Sequence, residues 1–148
     1  MLFSEMPLKS PLLRTLDKMG FTQTTEVQRL VIPEVLSGHD VMAGSRTGSG
    51  KTAAFILPML QRFLEQEKPN TATRGLILLP TRELALQTQK MFARFAGLTR
   101  IKSGLIIGGE AYKYQVATLR KNPEVVVATP GRLVEHIDKG NIDFSDLE

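Results

Sequence analysis

The residues with the clearest chemical purpose are Ser45-Arg46-Thr47-Gly48-Ser49-Gly50-Lys51-Thr52. They follow a short apolar run, 41–44, and precede a helical pattern that begins with Ala53, Ala54 and Phe55. Glycines let backbone N–H groups come close to phosphate oxygens, and the helix turns its positive end toward the same anion. In such a loop Lys51 reaches the β and γ phosphates and the Thr52 hydroxyl ligates Mg²⁺. Lys51 and Thr52 are therefore the candidate catalytic residues, Thr52 the candidate metal ligand, and all eight residues the candidate nucleotide cradle. Ser45 stands where the usual pattern has glycine, and its small side chain still fits.

A phosphate loop needs a strand before it and a helix after it. Four apolar runs are each followed by a helical pattern: 41–44, 76–79, 104–107 and 125–128. Runs without polar alternation suit strands buried on both faces. Helices are predicted to start near Gly50, Arg82, Tyr112 and Pro130. Alternating strands and helices give βαβ units, an open parallel sheet and an α/β fold, with ligands at the carboxyl ends of the strands. Two helices precede this region. Ser10-Pro11 reads as a cap and first turn, with Leu12, Leu13, Leu16 and Met19 on one face and Gly20 at the end. Thr25-Glu26-Val27-Gln28 has capping-box spacing and opens a helix that closes near Gly38, with a bend expected at Pro33.

The chain has 148 residues, no cysteine and two histidines. A disulfide framework, a thiol nucleophile and an iron–sulfur cluster are excluded. No apolar run approaches membrane-span length, and the first residues lack a signal-peptide pattern, so a soluble, cytoplasmic chain without membrane attachment is expected. The net charge of +4 is unevenly spread. Residues 75–134 hold nine Lys/Arg against three Asp/Glu, and residues 135–148 hold one against five. The basic segment suits a polyanionic partner.

Four further strings give the chain a family resemblance. They are Gly20-Phe21-Thr22-Gln23-Thr24-Thr25-Glu26-Val27-Gln28 with Phe3 upstream, Pro80-Thr81-Arg82-Glu83-Leu84-Ala85, Gly108-Gly109, and Thr129-Pro130-Gly131-Arg132. With the phosphate loop they resemble the first half of the first RecA-like domain of a DEAD-box ATP-dependent RNA helicase. The resemblance runs over essentially all 148 residues. It implies a P-loop NTPase fold, RecA-like, with residues 1–38 as an adenine-reading helical region and 39–148 as P-loop and RNA-motif βα units. It implies ATP and Mg²⁺ as cofactors. Phe3, Phe21, Thr25 and Gln28 join the nucleotide set: Gln28 would bond the adenine edge, and Phe3 would stack near the base. Gln28 serves equally as the capping-box partner of Thr25, and Phe3 as an N-terminal core anchor. The family usually has proline at position 24 and often isoleucine at 27; here Thr24 and Val27 stand there, and a looser turn is expected.

The resemblance makes RNA the partner, held by its backbone with little sequence specificity. Pro80, Thr81, Arg82, Gly108, Gly109, Thr129, Pro130, Gly131 and Arg132 are the residues it implies. Thr81 and Thr129 would cap helices whose N–H groups face phosphate. Arg82 and Arg132 would add charge, and the paired glycines would let a strand pass closely.

The family's Asp-Glu-Ala-Asp motif supplies the acids of hydrolysis, and this sequence contains no Asp-Glu dipeptide. The resemblance implies a fragment that stops before those acids and lacks the second RecA-like domain. The nearness of Phe3 to the start fits a core without an N-terminal extension. The fragment is expected not to hydrolyse ATP, and an incomplete sheet is expected to expose edges through which it could dimerise. A DNA helicase fragment of the same superfamily and a non-catalytic nucleic-acid-binding module are the rival readings.

Overall fold

The computed structural model describes residues 1–48, 50–66 and 72–148. Ser49, the fifth residue of the phosphate-loop string, lies outside the described residues, as do residues 67–71. The chain divides into two compact units, Met1–Glu67 with Arg94–Arg100, and Lys68–Ala93 with Ile101–Glu148.

The first unit is helical. A short 3-10 turn, Phe3–Glu5, leads to α1 (Ser10–Lys18), α2 (Glu26–Leu36) and α3 (Lys51–Glu65). Ser10 is the first helical residue and not the cap; Lys9 holds the cap position without a side-chain bond, and Pro11 lies in the first turn. At α2 the capping box forms as its spacing predicts. The Thr25 hydroxyl accepts from the Gln28 N–H, and Gln28 Oε1 accepts from the Thr25 N–H. The helix runs through Pro33 to Leu36. Replacing Thr25 by alanine removes this cap and is expected to lower stability by about 1 kcal/mol; an unchanged urea midpoint would refute the cap's importance.

The core of this unit holds Leu12 and Leu16 of α1, Val31 and Ile32 of α2, and Ala54, Ile56, Leu57 and Leu60 of α3. Phe3 and Phe95 are buried with them, and the Phe21 ring sits 6.1 Å from Phe3 and 5.8 Å from Phe95. The N-terminal arm is stitched to the 22–24 loop. Phe3 N–H donates to the Thr22 carbonyl, while the N–H and hydroxyl of Thr24 both donate to the Met1 carbonyl. Proline could not make the first of the Thr24 bonds. Thr24 therefore ties this turn down, where a looser one was expected.

The second unit is built on a parallel sheet of β1 (Gly75–Leu78), β2 (Ser103–Ile106) and β3 (Val125–Ala128), in the order β1-β3-β2. Leu78, Ala128 and Ile106 lie in register. All four residues of β3 are buried, as an unalternating run in a central strand requires. Helices α5 (Tyr112–Arg120) and α6 (Pro130–Asp138) belong to this unit, as does most of α4 (Arg82–Phe95). Ile106, Leu119, Val126, Ala128 and Leu133 form its core, with Leu76, Ile142 and Phe144 packed against them.

One expected strand is absent. Residues 41–44 are extended in sequence character but form no strand, and Met42 is fully exposed. A strand exists through its neighbour's hydrogen bonds, and no strand among the described residues pairs with this run. Strands β1 and β2 begin one residue earlier than their apolar runs and β3 coincides with its run, while α3, α4, α5 and α6 start at or within one residue of the expected positions.

Candidate nucleotide and nucleic-acid sites

The phosphate loop belongs to the first unit. Gly50 caps α3 with φ +88°, a left-handed conformation that suits glycine. Its carbonyl accepts from the Ala54 N–H at 3.2 Å and from Gln28 Nε2 at 3.2 Å. A Cβ at Gly50 would lie 2.5 Å from Gln28 Nε2 and 3.0 Å from Thr25 Oγ1. The α2 cap is thus fitted directly against the loop. Lys51 Nζ donates to the Ser45 carbonyl at 2.6 Å, so the ammonium bends back across the loop. Arg46, Thr47, Gly48 and Thr52 are exposed, and Ser45 is half-buried. A groove lined by Thr25, Val27, Leu30, Val41 and Met42 opens beside Ser45 and Arg46.

Two aromatic and amide expectations resolve differently. Phe3 is 3% exposed, and its ring is spent on the core. Of its two readings the structure takes the anchor, and it offers no open stacking face. Gln28 is also 3% exposed. Its oxygen serves the Thr25 N–H and its nitrogen the Gly50 carbonyl, so it joins the cap to the phosphate loop.

Mg²⁺ coordinates oxygen, keeps several waters and takes few protein ligands. The hydroxyl of the exposed Thr52, two residues beyond the helix N-cap, fits that habit. Among the described residues no cluster of three His, Cys, Asp or Glu could hold a metal ion.

The second unit gathers the other motifs. The strand register sends three loops out side by side at the carboxyl edge: 79–82 after β1, 129–132 after β3 and 107–110 after β2. Leu79 N–H donates to the Ala128 carbonyl and Thr129 N–H to the Ile106 carbonyl, so the pairing continues into the loops. Thr81 Oγ1 accepts from the Leu84 N–H at 3.2 Å and caps α4. Thr129 occupies the N-cap position of α6, but its hydroxyl makes no capping bond, contrary to expectation. Pro80 and Gly131 are exposed, and Pro130 opens α6.

The two arginines have different roles. Arg82 is half-exposed, with a long ion pair to Glu110 at 3.9 Å. Its guanidinium lies against Gly109, where an added Cβ would stand 2.5 Å from Nη1, and Gly109 has φ +83°. Arg132, expected to reach outward to phosphate, turns inward instead. Its side chain is 15% exposed, and Nη1 donates to the Glu110 carbonyl at 2.9 Å and to Gln115 Oε1 at 3.1 Å.

Sequence reasoning missed the cluster that receives Arg132. Gln115 Nε2 donates to the Ile107 carbonyl at 2.7 Å. That bond and Arg132 fix which end of the amide is oxygen, because a carbonyl only accepts and a guanidinium only donates. His136 Nε2, 2.9 Å from the same oxygen, must then carry a proton and donate to it. His136 Nδ1 accepts from Asn141 Nδ2 at 3.1 Å, and Asn141 Nδ2 also donates to the Tyr112 hydroxyl at 2.7 Å. The Tyr112 and His136 rings stack with centroids 4.3 Å apart. Burial, helped by the nearby Arg132 charge and opposed by Glu135, holds His136 below the usual histidine range, which favours this neutral ring. One signal was available: Gln115 and His136 fall on the buried stripes of α5 and α6, four residues from Leu119 and three from Leu133.

Comparison with known proteins gives the family. The DEAD/DEAH box helicase family pattern matches residues 25–148. The chain belongs to that family. A probable ATP-dependent RNA helicase ddx27 of Dictyostelium discoideum is 50% identical over 147 residues, covering 99% of this chain and 19% of the relative. DEAD-box ATP-dependent RNA helicase 28 of Arabidopsis thaliana is 47% identical, covering 98% and 18%. The chain therefore spans about a fifth of the length of these relatives. A DEAD box protein from Methanococcus jannaschii superposes with a TM-score of 0.90 at 35% identity, over all of this chain and 40% of that one. A hypothetical ATP-dependent RNA helicase from Sulfolobus tokodaii gives 0.84 at 36%, over 94% and 39%. The α/β fold with its parallel sheet is that of RecA-like DEAD-box domains.

Proposed function

We propose that this DEAD-box chain is part of an ATP-dependent RNA helicase and carries its nucleotide-binding loop and an RNA-backbone surface. The observation that carries the reading is the strand register, which lines up the loops at 79–82, 107–110 and 129–132. An RNA strand lies along them. The N-termini of α4 and α6 and the Arg82 guanidinium meet its phosphates, and no base edge is read. ATP phosphates sit at the N-terminus of α3. Lys51, now bonded to the Ser45 carbonyl, would turn to the phosphates, and Thr52 would hold Mg²⁺ through its hydroxyl, the metal supplying charge that offsets the phosphates. Thr25 and Gln28 act on the nucleotide through Gly50.

Hydrolysis needs an acid to hold the metal and a group to orient water. No Asp-Glu pair is present in these 148 residues, so the chain by itself binds nucleotide without turning it over. The β1 edge, with Leu78 half-exposed, pairs with a second copy at high concentration. The cytoplasm is the proposed compartment.

Titration calorimetry with ADP and Mg²⁺, and anisotropy with single-stranded RNA and DNA, test the reading. Binding of ADP lost in Lys51→Ala, and RNA binding weakened several-fold in Arg82→Ala with a shallower salt dependence, are the expected results. ATP turnover above background that disappears in Lys51→Ala would overturn the inactive-chain proposal. Absence of both ligands' binding at millimolar concentration would overturn the functional assignment.

A further inference from the structure

The loop between β2 and α5 is held at both ends by side chains. At its start, the Ile107 carbonyl accepts from Gln115 Nε2 at 2.7 Å. At its finish, the Glu110 carbonyl accepts from Arg132 Nη1 at 2.9 Å. The same guanidinium nitrogen donates to Gln115 Oε1, so one buried carboxamide is common to both ends. Between the two clamps lie Gly108 and Gly109. Gly108 would meet nothing within 4 Å if it carried a Cβ, and Gly109 underlies the Arg82 guanidinium. Two adjacent glycines are among the most freely moving backbone units of an unfolded or loosely held chain. Something must hold them in one path, and the sheet stops at Ile106.

Gln115 is suited to this. It is 4% exposed, and His136, itself 0% exposed, donates to its oxygen from the opposite side. Its nitrogen has one carbonyl and its oxygen two donors, so it cannot rotate without leaving buried polar groups unpaired.

We infer that Gln115 is a positioning residue for RNA binding: its carboxamide, with the Arg132 it holds, fixes the Gly108–Gly109 backbone and the Arg82 seat on it. The inference rests on the RNA-surface reading above. Gln115 touches no RNA itself; it sets the path of the backbone that does.

The test compares wild type with Gln115→Met, which matches the side chain's length and makes none of the three hydrogen bonds. The probe is a fluorescein-labelled single-stranded RNA of about twelve nucleotides. RNA affinity is expected to fall about tenfold or more, the effect of unpairing buried polar groups. ADP binding at the phosphate loop is expected to stay unchanged, which a general loss of structure would not allow. Gly109→Ala, which disturbs the same loop, is expected to weaken RNA binding less in the Gln115→Met background than in wild type. Folded Gln115→Met that binds RNA within twofold of wild type overturns the inference and leaves the RNA reading standing. Wild type that binds no RNA overturns both. If Gln115→Met does not fold, Gln115→Glu keeps the oxygen acceptor and loses the donor to Ile107; weakened RNA binding with intact ADP binding supports the inference, and unchanged RNA binding overturns it.

Discussion

Alanine at position 50 is expected to remove nucleotide binding and to loosen the first unit. Two costs combine. Gly50 has φ +88°, and an L-residue there costs roughly 1–2 kcal/mol. The new Cβ would also lie 2.5 Å from Gln28 Nε2 and 3.0 Å from Thr25 Oγ1. A surface side chain would swing aside. Gln28 cannot, because it is buried and bonded at both ends of its amide. Its displacement breaks the α2 capping box, for about 1 kcal/mol more. The sum is about 2–3 kcal/mol, or a melting point lower by roughly 5–10 °C. The displaced loop also misaligns the α3 N-terminus against any phosphate. Gly48→Ala is the internal control: its φ is +82°, but nothing lies within 4 Å of its Cβ position, so it meets the strain without the clash. Calorimetry with ADP and thermal melts of the two variants separate the effects. Equal damage from both would sink the claim that α2 is fitted against the loop.

The second large effect concerns His136. It is fully buried, stacked on Tyr112 and bonded through both ring nitrogens. Truncation to alanine leaves a cavity and strips a donor from Gln115, and about 3 kcal/mol of stability is expected to go. The ring also makes stability depend on pH. Its folded pKa lies below the free value, because burial and the Arg132 charge disfavour the cation. In the window below about 6.5 the unfolded chain therefore binds more protons than the folded one. The contribution is complete above about pH 6.5 and drains away as pH falls toward the folded pKa. Denaturation of wild type between pH 7.5 and 5.5 is expected to show this loss. His136→Phe keeps a ring against Tyr112 and has no proton to gain, so its profile in that window is expected to be flatter. Parallel profiles would refute the assignment.

Much of this protein is local, and local features are legible in sequence. A cap needs only Thr25 and Gln28 three residues apart, and that bond forms. A phosphate loop needs glycines, a lysine and a helix start in one short string. Three of the four apolar runs become strands, because each lies where a parallel neighbour can pair with it. The exception, 41–44, is also apolar but has no partner among the described residues. Composition supplies a strand's willingness, and a neighbour supplies its hydrogen bonds.

The site divides along the same line. The amino-acid sequence by itself determined which residues could meet phosphate, since glycines, helix starts and arginines are chosen by type and spacing. It could not decide which arginine stays exposed. Arg82 and Arg132 each lie in the first turn of a helix that follows a threonine, yet one lies open on Gly109 and the other is folded against Glu110 and Gln115. That difference depends on residues brought together from 17 to 22 positions away. Nor could it show that Gln28 braces Gly50 or that His136 braces Gln115. Such bonds are settled only by packing, which buries an amide or an imidazole and then obliges it to find its partner.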